Sequence, residues 1–420
     1  MGQRLVLFAK YILTMDRPQP IEDGFVLIQG ARILQVGKRA DLYFSPSLRM
    51  LDLGDTVLLP GLINAHCHLD FTAFKGNVKY QGGFREWLRQ MAVKSQSTTT
   101  SEFRKSIQKG IKESLTFGTT TLCDVASSWE SYPLLLKSAL RSVVFFEMID
   151  MAQPSTELYW KNFQQRLKSL LLHHPPSETC GWGLSPHTPF TVSKELLQST
   201  KVFLRGHRNL LTTVHVAESE EETRYFKNGS GPVADRIKIL NPHWTIPRAT
   251  TPVQYLSQNG WMPPLNLGVH LNEVNDKDLA LLVKNRIAVV HCPGSHSYFG
   301  HKTFRYAKMR KMRIPVCLGT DSLASNQSLS LFREMRLFQT KYPGISSAEI
   351  LSLVTVKPAQ ALGRGGELGR IKPGYLADLI GIEAPKRHDQ NLYDYLVNYR
   401  KPVSFSMVGG EPKLRLAVKH

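Results

Sequence analysis

Two histidines one residue apart, His66 and His68, stand just after an apolar run at residues 57–59. Such a run predicts a short buried strand. On an extended backbone, side chains two residues apart point to the same side, so both imidazoles face one point while Cys67 faces away. Two imidazoles at one point make up half of a transition-metal site. By itself this spacing is weak evidence, because surface histidines reach it by chance.

Other apolar runs in the chain also end in a residue that can bind a metal or move a proton. Each of these residues stands at the end of its run or soon after it, and they are His187, His215, His270, His291 and Asp321. Histidines that only fill a core would be scattered along the elements. Their repeated position at the ends of runs therefore favours a common site.

The elements that would bring these residues together are strands and helices in alternation. Strands are predicted at residues 57–59, 119–124, 142–147, 181–185, 211–215, 265–270, 287–291 and 314–321. Helical patterns lie between them, for example at residues 102–117 and 275–284. Strands that alternate with helices pair in parallel, and eight such units are the number in a closed (β/α)8 TIM barrel. The predicted fold class is therefore α/β, with the strand ends converging on one mouth where the active site lies.

The residues at this mouth include a full set of ligands for one divalent metal. His66, His68 and His215 offer neutral nitrogens, and Asp321 offers an oxygen, which leaves a position open for water. Zn²⁺ suits such a site and lowers the pKa of a bound water to about 7. Sites of nitrogen and oxygen ligands discriminate weakly between metals, so Fe²⁺ and Mn²⁺ stay open as alternatives.

Glu218 stands three residues after His215, where the chain leaves the fifth strand. A carboxylate there can lie beside the water on the metal, take a proton from it and pass the proton to a ring nitrogen or a leaving amine. The alternative is a helix acid, because residues 218–222 are rich in glutamate and a helix dipole favours acids in the first turn. The sequence favours the catalytic role for Glu218 and leaves Glu220, Glu221 and Glu222 to the dipole.

The remaining histidines are assigned to the substrate or the scaffold. His270 could hydrogen-bond a substrate oxygen or amine, could polarise the substituent of the attacked carbon, or could be a satisfied histidine at a strand end. His187 is interpreted as a substrate-binding residue, because the ligand set of the metal is already complete. His291 is expected to be structural, and the roles of His296 and His301 stay open.

Both ends of the chain differ in pattern from the middle. Residues 25–30 and 32–37 alternate polar and apolar side chains around Gly30-Ala31, which predicts a β-hairpin. Residues 374–382 and 403–408 have a similar character. We therefore predict a composite β-sandwich domain from residues 1–56 and 367–420, and a catalytic barrel over residues 57–366.

The composition is that of a folded globular protein. The chain has 420 residues, of which 42% are hydrophobic, and no apolar stretch reaches the ~18 residues that a membrane helix needs. Its first residues lack the apolar region and cleavage site of a signal peptide. The five cysteines are scattered and include no Cys-X-X-Cys pair, which is typical of reduced thiols. We therefore expect a cytoplasmic protein that is not bound to a membrane.

The chain carries a formal net charge of +19 at pH 7. Such an excess can mark nucleic-acid binding, attraction to anionic substrates or a basic proteome. The basic residues are spread along the chain, and residues 302–313 predict an amphipathic helix with a solvated basic face. Nucleic-acid binding is therefore disfavoured as the main role, and a small-molecule substrate is the expected partner.

The motifs resemble those of the amidohydrolase superfamily, specifically its cytosine-deaminase-like branch. The matching segments lie in order along nearly the whole chain, at residues 60–68, 185–189, 215–218, 291–295, 318–322 and 366–379. Each segment is weak alone, but the ordered set is highly specific. Within the branch, the likeness to aminodeoxyfutalosine and adenosylhomocysteine/methylthioadenosine deaminases is carried by residues 84–88, 228–232 and 320–326.

The resemblance implies a barrel, a β-sandwich made from both termini and one divalent metal. The metal ligands of the family map onto His66, His68, His215 and Asp321, its proton shuttle onto Glu218 and its substrate-polarising histidine onto His270. Asp321 would also take a proton from the water on the metal. Members with two metals use a lysine at the end of the fourth strand, and residues 180–186 contain none. The resemblance also implies a possible homo-oligomer, because barrels of this family are often dimers or larger.

Two aromatic residues near the mouth are relevant to substrate binding. Trp87 could cover a substrate ring or could be a core residue. His296 stands where relatives commonly have asparagine, a departure that affects the substrate subsite and leaves the metal ligands intact.

The predicted reaction is hydrolytic deamination of an aminopurine nucleoside or base, of the 6-aminodeoxyfutalosine or adenosine type. Hydroxide generated at the metal attacks the carbon that bears the amine, Glu218 protonates the ring nitrogen, His270 and Asp321 stabilise the tetrahedral intermediate, and ammonia leaves. The other zinc-deaminase design needs His-X-Glu and Pro-Cys-X-X-Cys signatures, which this sequence lacks. The enzyme alternatives are a cyclic amide or imidazolone hydrolase and a chlorohydrolase. The non-enzyme alternative is a basic nucleic-acid-binding protein.

Overall fold

The computed structural model of the 420-residue chain describes residues 4–43, 48–387 and 390–415. In this described part the strands are β1 (Arg4–Ile12), β2 (Ile21–Gln29), β3 (Arg32–Lys38), β4 (Arg49–Asp52), β5 (Thr56–Pro60), β6 (Leu62–Cys67), β7 (Thr119–Ala126), β8 (Arg141–Met148), β9 (Cys180–Pro186), β10 (Leu211–Val216), β11 (Leu267–His270), β12 (Ala288–His291), β13 (Val316–Leu318), β14 (Leu379–Glu383), β15 (Phe405–Val408) and β16 (Glu411–Arg415).

The α-helices of the same part are α1 (Phe84–Gln96), α2 (Thr100–Thr116), α3 (Ser131–Leu136), α4 (Thr156–His173), α5 (Lys194–Arg205), α6 (Glu220–Asn228), α7 (Pro232–Leu240), α8 (Pro252–Gln258), α9 (Asp276–Asn285), α10 (Pro293–Phe299), α11 (Tyr306–Lys311), α12 (Leu331–Lys341), α13 (Ser347–Ser352), α14 (Val356–Ala361) and α15 (Leu392–Val397). Two 3₁₀ helices lie at Arg39–Asp41 and Leu69–Phe74.

Strands β6 to β13 form a parallel sheet in which each strand pairs with the next one along the chain. The sheet curls until its last strand meets its first, where the amides of Thr320 and Asp321 donate to the His66 carbonyl at 2.9 and 3.1 Å. A Cβ at Gly319 would lie 2.8 Å from that carbonyl oxygen, so the close approach requires glycine. The predicted eight-stranded α/β barrel is confirmed.

The first strand of the barrel is not the one that the apolar run at residues 57–59 predicts. That run lies in β5, which pairs with β1 and β14 of a different sheet. The barrel begins one residue after β5 ends, with β6, and β6 carries His66. The two strands are joined through Gly61, where an added Cβ would clash with the Thr120 side chain at 2.0 Å. Both strands are fully buried and mostly apolar, so periodicity alone does not tell which sheet each one joins.

A second sheet is built from the two ends of the chain, as predicted. Its order is β16-β15-β14-β5-β1-β2-β3, with β4 paired to β1. The predicted hairpin around Gly30-Ala31 is present as β2 and β3, whose register begins with Gln29 opposite Arg32. The proposed domain boundaries stay predictions, and the first of them falls inside β5.

The helices around the barrel follow their predicted positions in two of three cases. Helix α2 starts with a capping box, in which Thr99 and Glu102 satisfy each other's backbone amides. Helix α9 starts in the same way at Asn275. The continuous helix predicted over residues 302–313 is wrong, because only α11 (Tyr306–Lys311) is helical there. Before it, the Tyr342 hydroxyl donates to the Phe304 carbonyl at 2.7 Å, which holds the preceding segment outside the helix.

A buried ion pair links the barrel to the second sheet. Arg141, at the start of β8, donates to both carboxylate oxygens of Asp378 at 2.8 and 3.0 Å. The Arg141 guanidinium also donates to the Glu178 carbonyl, and Asp378 accepts from the Gly409 amide at 2.7 Å. The side chains of Arg141 and Asp378 are 1% and 4% exposed. Such a pair is satisfied only while both sheets stay docked.

We expect Asp378→Ala to lower the free energy of unfolding by about 3–5 kcal/mol, because it leaves a buried guanidinium without its partner. Chemical denaturation would measure the loss. The matched control is Glu383→Ala, which breaks the exposed Lys401–Glu383 pair and should cost at most about 1 kcal/mol. Equal small losses in the two variants would show that the Arg141–Asp378 pair does not join the sheets.

Candidate metal centre and active site

The carboxyl ends of five barrel strands bring the predicted functional residues to one mouth. His66 and His215 are the penultimate residues of β6 and β10. His270 is the final residue of β11, and His187 follows β9 directly. His68 and Asp321 come from the segments just beyond β6 and β13. All these side chains are buried or nearly so. The structure brings these side chains together at one mouth, and their roles stay predictions.

Four of these side chains have the geometry of a metal site. The Nε2 atoms of His68 and His215 are 3.2 Å apart, and a tetrahedral ion with nitrogen bonds of about 2.0–2.1 Å needs nitrogens roughly 3.3 Å apart. Asp321 Oδ1 lies 3.7 Å from Nε2 of His66 and 3.7 Å from Nε2 of His68. His66, His68 and Asp321 form one group whose ligand atoms all lie within 4.8 Å of one another.

Hydrogen bonding inside this cluster fits a cation and not a self-contained polar network. His215 Nδ1 donates to the His187 carbonyl at 3.0 Å, so its Nε2 carries a lone pair toward His68. His66 Nε2 is buried and has no hydrogen-bond partner among the described residues. Lone pairs that face one another in a buried space are what a divalent metal satisfies, with the second ring nitrogen fixing the tautomer. The residues therefore fit the predicted metal.

The electrostatics keep these groups in the form that binds a metal. Burial, together with neighbouring histidines, lowers the pKa of His68 well below its usual range and that of His215 to about 3. Burial alone would raise the pKa of Asp321, but the contacts with His66 and His270 hold it well below its usual range. Neutral imidazoles and an ionised carboxylate are the protonation states that metal ligation requires.

Asp321 and His270 are held in unusual backbone conformations. Their φ angles are 55° and 73°, in the left-handed region where residues other than glycine are uncommon. The Asp321 carboxylate accepts from the Ser322 amide at 2.7 Å and from the Ser325 hydroxyl at 2.9 Å. These bonds fix the direction in which Asp321 presents Oδ1 to the histidines.

Glu218 lies beside the cluster and faces His270. Its Oε1 is 3.5 Å from His270 Nε2, and it belongs to none of the described metal-ligand groups. Burial, and then the charges of Asp321 and Glu222, raise its pKa well above the usual range. A carboxyl group with a raised pKa can hold and release a proton near neutral pH.

Glu222 holds the segment that carries Glu218, a role that the sequence did not reveal. Its two carboxylate oxygens accept from the amides of Ala217 and Glu218 at 3.1 and 2.8 Å. Ala217 has a φ of 53°, so the chain turns sharply between His215 and Glu218. The prediction that Glu222 only serves the helix dipole is wrong, because its carboxylate directly fixes this turn. The available signal was its spacing of four residues from Glu218.

Glu221 also has a specific partner instead of a general dipole role. Its carboxylate accepts from the amides of Phe84 and Arg85 at 2.8 and 3.0 Å. These amides open α1, so Glu221 caps that helix from across the mouth. Helix α1 carries Trp87, and its position therefore depends on the segment that follows β10.

His296 supports Glu218 through an intermediate residue. The Asn272 side-chain amide donates to the Glu218 carbonyl at 3.0 Å, and the Asn272 oxygen lies 3.0 Å from His296 Nδ1. His291 instead stacks on Phe304, with ring centres 4.0 Å apart. His301 lies beside the Phe299 ring, 5.4 Å between centres.

A cavity of about 410 Å³ opens above the cluster. His187 and Trp87 both line it. His187 Nδ1 is paired with the Thr191 hydroxyl at 2.9 Å, which leaves Nε2 for another partner. Trp87 packs edge-on against Phe299 at 4.9 Å and is 7% exposed. It is therefore both a core residue and part of the cavity wall.

The profile of the amidohydrolase family matches residues 57–413. The chain belongs to the amidohydrolase family. The predicted membership of the amidohydrolase superfamily is confirmed. The prediction of a hydrolase that acts on C–N bonds is confirmed as well. The cluster at the barrel mouth is the candidate site for the divalent metal that was predicted.

Similar proteins cover almost the whole chain. A protein of Syntrophobacter fumaroxidans described as 5-methylthioadenosine/S-adenosylhomocysteine deaminase is 29% identical over 401 residues, which are 93% of this chain and 87% of that protein. The structure of Helicobacter pylori aminofutalosine deaminase in complex with methylthio-coformycin aligns with a TM-score of 0.85 at 23% identity, over 97% of this chain and 100% of that one. An adenosine deaminase from Xanthomonas campestris with bound zinc aligns with a TM-score of 0.83 at 22% identity, over 98% and 93% of the two chains. At these identities the two structures establish the fold.

Within the described residues, no helix combines the length and apolar character needed to cross a membrane.

The candidate metal site predicts the metal content of the purified protein. We expect about one divalent ion per chain, and we expect His215→Ala to bind Zn²⁺ far more weakly. Changes to residues behind the ligands cost metal sites about 10–100-fold in affinity, so loss of a direct ligand should cost at least as much. Equilibrium dialysis with elemental analysis measures both values. The control is His243→Ala, which removes an exposed histidine outside the site, and equal metal content in the two variants would contradict the assignment.

Proposed function

We propose that this protein is a metal-dependent hydrolase that deaminates an adenine nucleoside or a close relative of one. The observation that carries the proposal is the Glu218–His270 pair, in which Glu218 Oε1 lies 3.5 Å from His270 Nε2. The pair stands beside a cluster of candidate metal-ligand side chains. A proton carrier next to a site that activates water is what replacement of an aromatic amine by oxygen requires. The relatives described as deaminases support the same reaction class.

His66, His68, His215 and Asp321 would hold the ion, with Zn²⁺ as the first choice. When bound, the ion supplies a water whose pKa is lowered to about 7. His68, His215 and Asp321 line the same cavity as Glu218 and His270, so a ring bound there would lie within reach of all of them. The prediction of one metal rests on the absence of a lysine in β9, and Fe²⁺ or Mn²⁺ stay alternatives.

Glu218 is assigned the proton transfer. With its raised pKa, the carboxyl group donates a proton to the ring nitrogen next to the carbon under attack. Attack on the carbon breaks the aromaticity of the ring and moves negative charge onto that nitrogen. Protonation of the nitrogen neutralises this charge. The resulting carboxylate takes the proton of the added hydroxyl as the carbonyl forms and delivers it to the leaving amine, which departs as ammonia. Return of the proton held by Asp321 to Glu218 restores both groups.

His270 and Asp321 are assigned to the oxygen that adds to the ring. His270 Nε2 faces the space between Glu218 and the cluster and hydrogen-bonds that oxygen. Asp321, whose pKa is low, accepts a proton from the attacking water and remains held by Ser322 and Ser325. The bonds from Ser322 and Ser325 already fix the Asp321 carboxylate, so it does not have to reorganise when the substrate reacts.

Ammonia release by the zinc-loaded protein would test this proposal. We expect one 6-aminopurine nucleoside to be turned over in a panel of adenine, guanine, cytosine and modified adenosines, and a chelator should abolish the activity. Release of a ring-opened acid or of chloride without ammonia would instead favour the cyclic-amide or chlorohydrolase alternative. Turnover that survives complete metal removal would contradict the proposal.

A variant separates the proton transfer from metal binding. We expect Glu218→Gln to lower kcat by at least about 100-fold, within the usual 10²–10⁴-fold contribution of a general acid or base, while it still binds one metal. The matched control is Glu220→Gln, two residues further on and exposed, which should retain full turnover. An active Glu218→Gln enzyme would remove Glu218 from the mechanism.

The cytoplasmic location, the role in nucleoside metabolism and the homo-oligomer stay predictions.

A further inference from the structure

Glu334 is a fully buried acid to which the proposed reaction gives no role. It lies in the first turn of α12 and is 0% exposed, and the described residues that line the cavity do not include it. Arg333 Nη1 stands 3.5 Å from its Oε1. Burial raises the pKa of Glu334 to about 7, and a buried carboxylate costs free energy unless its oxygens are satisfied. The partners of those oxygens therefore indicate what this residue does.

Each carboxylate oxygen of Glu334 accepts a hydrogen bond from a different loop of the barrel mouth. Oε2 accepts from the Gly294 amide at 2.6 Å, at the start of α10, and Oε1 accepts from Asn326 Nδ2 at 2.9 Å. Helix α10 follows β12, and Asn326 lies beyond β13, the neighbouring strand. The two loops are packed closely, because a Cβ added at Gly294 would lie 2.3 Å from Asn326 Oδ1. Glu334 thus joins the segments that leave two adjacent strands.

The Asn326 side chain connects Glu334 to the Thr320 carbonyl. Its Nδ2 donates to that carbonyl at 2.7 Å as well as to Glu334, so both of its N–H groups have acceptors. Its oxygen accepts from the Gln327 amide at 2.7 Å and from the Arg333 guanidinium. A side-chain amide with acceptors on one side and donors on the other has a single favourable orientation. Asn326 is therefore fixed with its N–H groups toward Thr320 and Glu334.

The peptide group between Thr320 and Asp321 is held at both of its ends. Its carbonyl accepts from Asn326, and its N–H, which belongs to Asp321, donates to the His66 carbonyl at 3.1 Å. Because a peptide group is planar, these two bonds together set its orientation. Asp321 has a φ of 55°, a conformation that residues other than glycine seldom adopt. The orientation of this peptide group therefore helps to set the direction in which Asp321 presents its carboxylate.

The bonds that the Asp321 carboxylate makes itself do not replace this support. They come from the Ser322 amide and the Ser325 hydroxyl, which belong to the same short segment and move with it. Asn326 and Glu334 instead tie the segment to α12 and to the start of α10.

We propose that Glu334 is a positioning residue, which acts through Asn326 and the Thr320 carbonyl to hold Asp321 in the orientation that binds the metal. This assignment rests on the proposed function, since it takes Asp321 to be a metal ligand. Among the described residues Glu334 makes no hydrogen bond to a candidate ligand, so its effect on the site is exerted through Asn326.

Metal binding by full-length Glu334→Gln tests the assignment without turnover. Glutamine has nearly the same shape but a single carbonyl oxygen, so one of the two donors would face an N–H group. We expect the Zn²⁺ affinity from equilibrium dialysis to fall about 10-fold, as is typical when a residue behind the ligands is changed. The visible spectrum of the Co²⁺-loaded protein, which depends on ligand geometry, should also shift.

Glu113→Gln is the matched control. The Glu113 carboxylate accepts from the Ser328 hydroxyl and the Leu329 amide at 3.0 and 2.9 Å, so it holds the same loop at a point beyond Asn326. This variant should leave the Zn²⁺ affinity and the Co²⁺ spectrum unchanged. Equal losses in Glu113→Gln and Glu334→Gln would reveal a general loosening of the loop and overturn the assignment.

A second variant tests the route from Glu334 to Asp321. Asn326→Ala removes the connecting side chain and leaves the Glu334–Gly294 bond in place. If Glu334 acts through Asn326, the double variant should bind Zn²⁺ within about 2-fold of Asn326→Ala alone, because residues in one hydrogen-bond network are not additive. Losses that multiply would mean another route and contradict the proposal. Should Glu334→Gln fail to fold, Asn326→Ala must still weaken Zn²⁺ binding and shift the Co²⁺ spectrum, and wild-type behaviour would overturn the assignment.

The outcomes also separate this assignment from the proposed reaction. Weaker Zn²⁺ binding and a shifted Co²⁺ spectrum in Glu334→Gln support the positioning role even if the wild type releases no ammonia from any 6-aminopurine nucleoside. Ammonia release by the wild type, with unaltered metal binding in Glu334→Gln, overturns the role of Glu334 alone. A wild-type chain that binds no divalent metal overturns both.

Discussion

The contact between the first and last strands of the barrel is the constraint on which the site depends. The His66 carbonyl accepts the amides of Thr320 and Asp321 at 2.9 and 3.1 Å. His66 and Asp321 also carry a nitrogen and the carboxylate of the candidate metal site. Closing the barrel therefore also assembles that candidate site. Gly319 permits it, because any side chain there would strike the backbone of His66.

The chemistry at the mouth relies on carboxylates that differ in environment. Asp321 faces histidines and accepts hydrogen bonds, so its pKa is held low. Glu218 is buried and has other acids for neighbours, so its pKa is raised. Asp321 and Glu218 both lie close to His270, yet they can serve as an anionic ligand and as a proton carrier. Environment alone separates their roles.

Two adjacent glutamates divide the work of organising the mouth. Glu222 binds the amides at the turn that presents Glu218, and Glu221 caps the helix that carries Trp87 and Arg85. The segment after β10 therefore positions both the proton carrier and one wall of the cavity. A change in this segment would alter reactivity and substrate fit together.

The sequence by itself determined the alternation of strands and helices, the candidate metal-ligand histidines and the likeness to a family, because these depend on local periodicity and on residue order. It placed residues 57–59 in the wrong sheet, since two adjacent buried strands have the same pattern and only pairing distinguishes them. It also missed the turn that Glu222 holds and the cap that Glu221 gives to the amides of Phe84 and Arg85. Whether an acid or a base is capped, paired or left facing a cavity depends on partners that are distant in sequence. Only the tertiary structure brings those partners together.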